Sequence, residues 1–530
     1  MEGKEMKTKR IVTLLMALLL LFSLAGCGGS ESGAGDPADK TTVIFGNTAG
    51  EPGNLHPYNS IGVGTSVVNR NIFEYLCQYN GDNELEPRLA ESWEVEDDGL
   101  TFYLRKGVKF HNGEELKASD VVFSFKEVIL NSTGGYAGNL ESIDPNGIVA
   151  LDEYTVYMPL FNKDSNIMPM VAGIQIVNEK AYNELGQDFA YEPVGTGPFM
   201  MKEWVTGDHI DLERFDDYWG GTPQIETVRI RTINEVSQAM IELETGGIDV
   251  LIQPSGEDVT RVKNGEVEGI VAVTDPNAAT RNNNVNFNWL SPYFSNQLVR
   301  EAVAHCIDRE TWAEIISPGT GTPAYSMVAA GVWGYDPELE NNYPYEYNIE
   351  LAKQKLAEAG YPDGFSCIMF TDARAYHQSL CELLENSLGQ IGIDMEIQTM
   401  ELTQQKEIMV TGEGFDLYML DNIGNASSFL ASLWRDSHPR FATTFSTHHH
   451  FYTVNDAQGQ RYADLMDAIR EELDDDKRLE LCKELQQVFT EDLVWIPVNT
   501  ISAYTLVNDS LTGYFTTGGD VYITPETHFE

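Results

Sequence analysis

Apolar positions along this chain follow two periods that succeed each other in blocks. Leu100, Phe102 and Leu104 alternate with polar neighbours, as do the positions of 226–232, which predicts strands with one buried face. Asp97-Asp98-Gly99 separates the first of these from the run ending at Glu96, a hairpin signal. Helical spacing takes over at 67–79, 235–245 and 350–359, and through Leu380, Leu384, Leu388 and Ile391. Ser119 and Asp120 mark a helix start, and Gly360 with Pro362 a helix stop. Asp474-Asp475-Asp476 fits the first turn of a helix running to about 489, where carboxylates favour the positive end of the helix dipole. Short apolar strands are predicted at 43–47, 248–252 and 395–399. Strand, helix and strand in succession over 226–252 predict an α/β unit, with no solenoid repeat.

The first residues read as an address. Lys7, Lys9 and Arg10 precede a nearly continuous apolar stretch, 11–24, that falls short of the roughly 20 residues a spanning helix needs. It ends in Leu24-Ala25-Gly26-Cys27, which resembles a bacterial lipobox. That resemblance implies a signal peptide over 1–26 and a diacylglycerol joined to the Cys27 thiol. Residues 28–40, rich in Gly, Ser, Ala and Asp, extend the anchor as a tether, so 27–40 is expected to be flexible. No other apolar run is long enough to span, so the body is expected outside the membrane and held only by its lipid.

Charge narrows the partners. The 530 residues hold 82 acids against 34 bases, a formal charge of −48. Such a body is repelled by phosphate backbones and anionic headgroups, which excludes nucleic-acid partners. Cys77, Cys306, Cys367, Cys381 and Cys482 form no CxxC pair; an odd number cannot pair completely, and most are expected as small buried residues.

From about Thr42 onward the chain resembles the extracellular solute-binding proteins of family 5, the oligopeptide, dipeptide and nickel class of ABC importers. The residues carrying the resemblance are Leu89-Ala90-Glu91-Ser92-Trp93, Asp98-Gly99-Leu100-Thr101-Phe102 and Leu104-Arg105-Lys106-Gly107-Val108-Lys109-Phe110-His111-Asn112-Gly113. Further blocks are Val194-Gly195-Thr196-Gly197-Pro198-Phe199, Val299-Arg300-Glu301-Ala302 with Ile307-Asp308-Arg309-Glu310, and Gln390-Ile391-Gly392-Ile393. The resemblance implies a two-lobed periplasmic-binding-protein fold: α/β, type II, of the large class with an extra inserted domain and a hinge between lobes. Carried over, lobe one is 41–78, 192–279 and 494–530, the inserted domain 79–191, and lobe two 280–493. It also implies a monomer that captures a small solute, most simply a peptide, hands it to ABC permease and ATPase subunits, and needs no cofactor. The alternative within the family is a metal chelate or sugar.

The chain departs from the family where an Asp-Pro often lies near the ligand; here the stretch reads Asp421-Asn422-Ile423-Gly424. The resemblance nevertheless points to Asp421, or Asn422 beside it, for a ligand amine. Arg374, between a strand ending near Phe370 and the helix around Leu380, is the candidate for a ligand carboxylate, which a planar guanidinium binds bidentately. Asn288, Tyr58 and Trp434 complete the ligand-binding candidates. His448-His449-His450 is read as a polar loop, with a metal pair of His448 and His450 as the alternative. No HExxH, GxSxG or phosphate-loop motif supports catalysis, so an extracellular hydrolase is the lesser alternative.

Overall fold

The computed structural model describes residues 40–59, 62–80, 84–132, 140–274, 280–330, 332–424, 456–517 and 520–530. Strand β1 (Thr42–Asn47) runs into a loop and helix α1 (Val63–Ile72). The helical spacing predicted over 67–79 stops early: Phe73 turns extended, and Cys77–Tyr79 pairs instead with Leu85–Pro87. The Asp-Gly hairpin forms between β2 (Ala90–Glu96) and β3 (Gly99–Leu104). Helix α2 (Ala118–Asn131) and β4 (Thr155–Pro159) follow, with Val149–Ala150 completing a four-stranded antiparallel sheet. The chain then makes β5 (Phe199–Val205), β6 (His209–Arg214) and β7 (Thr227–Thr232), and continues through α3 (Val236–Glu244), β8 (Val250–Ile252), α4 (Gly256–Lys263) and β9 (Ile270–Val273).

These strands build a seven-stranded sheet in the order β9, a late strand β16 (Thr505–Asn508), β8, β1, β7, β6, β5. Beta1 lies parallel to β7 and β8 at its centre, and both of its neighbours arrive from more than 150 positions downstream. The segment expected as an inserted domain has its own sheet but no separate core. Leu100, Phe102 and Phe125 pack in one cluster with Val43 and Phe45 of β1. Gly195-Thr196-Gly197-Pro198 explains itself here: a Cβ on Gly195 would meet the Ile72 carbonyl oxygen at 2.0 Å, and one on Gly197 the Asn71 oxygen at 2.5 Å. Backbone packs directly on the end of α1, and only glycine permits that approach.

The second sheet has six strands. Beta10 (Thr280–Phe287), β11 (Gly321–Pro323), β12 (Phe365–Thr371), β13 (Ile393–Thr399), β14 (Leu417–Gly424) and β15 (Trp495–Ser502) lie in the order β11, β15, β10, β14, β12, β13. Helix α5 (Ala375–Gly389) connects β12 to its parallel neighbour β13. Helices α6 (Asp456–Glu471) and α7 (Asp475–Asp492) pack on this lobe through Tyr462, Ile469, Leu485 and Phe489. Asp474 caps α7, accepting from the Lys477 N–H, which gives the aspartate run its role.

Beta15 belongs to this second sheet, so the chain leaves lobe two after Ser502, later than the boundary expected at 494. The run Trp495–Val498 is buried on both faces, which periodicity cannot assign to one lobe or the other. The family-like arginines of this lobe are structural. Arg300 donates to the Phe294, Ser295 and Asp492 carbonyls and lies over the Trp289 ring at 4.1 Å. Arg309 donates to Pro497 and Tyr345 carbonyls and to the Tyr343 hydroxyl. Cys77, Cys306, Cys367, Cys381 and Cys482 are buried free thiols, and burial pushes each up to about 12.

His111 gives the fold a pH dependence. Its Nε2 hydrogen-bonds the Gly197 carbonyl at 3.0 Å, and burial pushes its pKa down to about 4. The native state therefore holds a neutral ring where the unfolded chain, at 6.5, binds a proton, and stability falls as pH drops from 6.5 towards 4. Urea unfolding of the parent is expected to show about 2 kcal/mol less stability at pH 5 than at pH 7 from this group. His111→Gln should remove that part of the difference; an unchanged pH dependence would assign it elsewhere.

Candidate ligand-binding cleft

Two segments carry the chain between the sheets: one from β9 at Val273 to β10 at Thr280, the other from β15 at Ser502 to β16 at Thr505. Thr280 pairs with Ser502, so both crossings enter lobe two side by side. The end of lobe two that faces lobe one therefore holds the start of β10, the end of β15, the end of β14 paired against it, and the loop after β12. In lobe one, Ile252 at the end of β8 pairs with Thr505. The carboxyl ends of the parallel strands β1, β7 and β8 thus point back at lobe two. Ligands of open α/β sheets bind outside such strand ends.

On the lobe-two side this end carries a charged cluster. Arg374 is the residue before α5, and its backbone N–H donates to Asp372 Oδ1 at 2.9 Å, a turn that fixes where its side chain starts. Its Nε and Nη2 donate to Asp372 Oδ2 at 2.8 and 2.5 Å, and its Nη1 to both oxygens of Asp421 at 2.8 Å. Arg281 Nη1 donates to Asp421 Oδ2 at 2.7 Å, and the Tyr376 hydroxyl to the same oxygen at 3.2 Å. His377, fully buried, donates from Nδ1 to Asp372 at 3.1 Å. Strand register brings Arg281 in: it lies opposite Ile423, diagonal to Asp421 on the same sheet face. Burial pushes the Asp421 carboxyl up, but Arg374 and Arg281 outweigh it and hold it below the usual carboxylate range. Asp372 is held low in the same way against burial, by Arg374 and then His377. Burial, reinforced by Arg374, holds the His377 ring below its ordinary value.

The expected site residues divide. Arg374 and Asp421 lie together at the strand ends, but they pair with each other rather than standing apart for the two ends of a ligand. Three donors already occupy the Asp421 carboxylate, which corrects its assignment to a ligand amine. Asn288 is buried at the far end of β10; its Nδ2 donates to the Gly412 and Phe415 carbonyls and its Oδ1 accepts from the Leu290 N–H, so it ties a turn. Tyr58 is buried in the lobe-one core, its hydroxyl donating to the Gln175 carbonyl at 2.8 Å. The Asn422 side chain, Trp434, His448 and His450 lie outside the described residues, as does Cys27. Sequence reasoning missed Arg281, Asp372, Tyr376 and His377. Asp372 was findable, because an aspartate two positions before an arginine at a helix start is an Asx-turn signal; Arg281 joins only through strand pairing. Among the described residues Glu203, His209 and Asp211 also approach one another as metal ligands would, but Arg229 donates to both Asp211 oxygens at 2.7 Å and supplies the cation there.

Two α/β lobes, crossed by paired segments and facing each other with strand ends and charged side chains, define a hinged solute-binding protein. The chain belongs to the bacterial extracellular solute-binding proteins, family 5, whose model matches residues 84–442. This family consists of binding subunits of ABC importers rather than enzymes. The oligopeptide-binding protein AppA of Bacillus subtilis is 28% identical over 76% of this chain and 79% of its own length. Heme-binding protein A of Haemophilus influenzae is 26% identical over 96% and 97%. The periplasmic binding protein DppA from Helicobacter pylori, solved with the peptide STSA, superposes with a TM-score of 0.76 at 25% identity, covering 92% of this chain and 98% of that one. No helix among the described residues is long and apolar enough to cross a membrane.

Removing Arg374 leaves two carboxylates, 5% and 9% exposed, without their main counter-charge. Arg374→Ala is expected to lower stability by about 2–4 kcal/mol at pH 7, and Arg281→Ala, which removes a single bond to Asp421, by about 1 kcal/mol. Both Asp pKa values are depressed, so the contribution is present above about pH 4 and is lost as pH falls further; the gap between parent and Arg374→Ala should narrow there in urea titrations.

Proposed function

We propose that this chain is a lipoprotein anchored at Cys27 that captures a solute bearing a carboxylate, most simply a peptide, by closing its lobes and delivers it to an ABC permease. The observation that carries the reading is the guanidinium pair of Arg281 and Arg374 at the strand ends that face lobe one. In a chain of net charge −48, a ligand carboxylate needs local cations. Arg281, 36% exposed, uses one nitrogen on Asp421, which leaves the rest of its fork for a ligand carboxylate, and Arg374, 33% exposed, lies on the same carboxylate. Asp421 positions both guanidinium groups. Closure works because contacts to both lobes exist only in the closed form, and ligand binding shifts the equilibrium by that differential affinity. A non-peptide ligand with carboxylates is the second reading, supported by the heme-binding relative. Peptides added to the purified chain should reduce its radius of gyration in small-angle scattering and be recovered chemically unchanged; cleaved peptides would replace the binding reading with an enzyme. In calorimetry Arg281→Ala should weaken binding of a matched peptide by about 2–5 kcal/mol, and unchanged affinity would sink the carboxylate site.

The anchor rests on the basic, apolar and small-residue order that ends at Cys27. Two acyl chains hold a protein firmly where one does not, so the thiol is decisive. Cys27→Ser should release the protein or leave an uncleaved precursor in membrane fractions; a serine variant processed and retained like the parent would remove the lipid anchor from this account.

A further inference from the structure

The two lobes also touch away from their crossing strands. Arg470, the penultimate residue of α6, donates from Nη1 to Glu141 at 3.0 Å and from Nη2 to Asp164 at 3.1 Å and to the Ser142 hydroxyl, which itself donates to Asp164. The backbone joins in: the Ser165 N–H donates to the Arg470 carbonyl at 2.7 Å, and the Ser165 hydroxyl to the Ile469 carbonyl at 3.0 Å. Arg478, stacked over Trp333 at 4.0 Å, donates to the Ser165 carbonyl at 2.8 Å. Ser142 and Asp164 are 3% and 6% exposed.

These groups belong to different bodies. Leu140 and Ile143, flanking the acceptors, are part of the lobe-one core, and Ile469, adjacent to Arg470, is part of the lobe-two core. Arg470 and Arg478 flank the start of α7 and reach the 141–165 segment of the lobe-one body. The contacts are hydrogen bonds and ion pairs, and no apolar cluster of the described residues spans the two bodies. Polar interfaces of this kind between domains part and reform.

We propose that Arg470 and Arg478 form a clasp between the 141–165 segment and lobe two that holds the closed form, so that residues touching no ligand set part of the affinity for ligand. The clasp rests on the hinge-closing function above. Opening must expose the Asp164 carboxylate and the Arg470 guanidinium together, and rejoining them favours closure. Arg470 is a positioning residue; its loss shifts the equilibrium between forms and alters nothing in the cleft.

Hydrogen exchange read by mass spectrometry tests the clasp without ligand, because the Ser165 amide is itself a bridging donor. In Arg470→Ala, peptides covering 160–170 are expected to exchange about 5–30-fold faster, with those covering β3 and β12 unchanged. Arg470→Lys should fall between, and Asp164→Asn, which keeps the side-chain shape, should loosen the same peptides. Unchanged exchange at 160–170, or equal acceleration of both cores, overturns the clasp. Scattering titrations with a random tripeptide library separate this from the closing function. If the parent compacts, Arg470→Ala should need about 5–30-fold more peptide for half-compaction, and an equal midpoint overturns the proposal. If the parent does not compact, the closing function fails and the exchange result alone decides the clasp.

Discussion

The structure depends on two strands that leave their neighbours together. Beta10 and β15 lie side by side within the second sheet and begin and end at the same side of it, Thr280 against Ser502. Because the chain enters and leaves lobe two through adjacent positions, all of lobe two is one closed excursion. Its only covalent ties to lobe one lie next to each other. Thr274 Oγ1 donates to the Ala503 carbonyl at 2.7 Å, binding the crossings to each other. Alpha4 packs against the 317–320 loop beside them, where a Cβ on Gly256 would meet the Pro318 carbonyl at 2.6 Å. A pair of short, mutually bonded segments allows rotation about itself and resists translation, which is the geometry of a hinge.

The same crossing decides where chemistry gathers. Both sheets turn the carboxyl ends of their parallel strands toward the crossing, so the loops that follow β1, β7, β8 and β12 meet in one cleft. Arg374 and Asp421 are 47 positions apart and Arg281 and Asp421 are 140 apart, yet strand pairing seats all three on one edge. Two buried arginines of the same lobe face carbonyls instead: Arg300 and Arg309 satisfy backbone oxygens inside lobe two, and burial lowers both. The contrast separates positive charge used as scaffold from positive charge turned toward the cleft.

Local pattern foretold what local physics controls. The Asp-Gly hairpin, the strand at 226–232, the helices over 235–245 and 350–359 and the aspartate-capped helix after 474 depend on neighbours within a few residues, and the structure has each of them. The fold class was legible through the family blocks. Those blocks proved to mark scaffold: His111 and Gly195 lock onto each other and onto α1, and the two arginines pin loops.

What the sequence left open depends on partners distant along the chain. The lobe to which 495–502 belongs follows from pairing with β10 more than 200 positions earlier, and a run buried on both faces has no periodicity to betray its sheet. Asp421 was legible as a charge near the cleft, but its three donors were not, and they turn it from a ligand partner into the group that positions two guanidiniums. The Arg470 clasp joins residues more than 300 positions apart. Sequence by itself determined the elements and the family, because periodicity, caps and turns act over a few residues. Tertiary structure alone decided which charges neutralise each other, because burial and pairing arise only when segments distant along the chain come together.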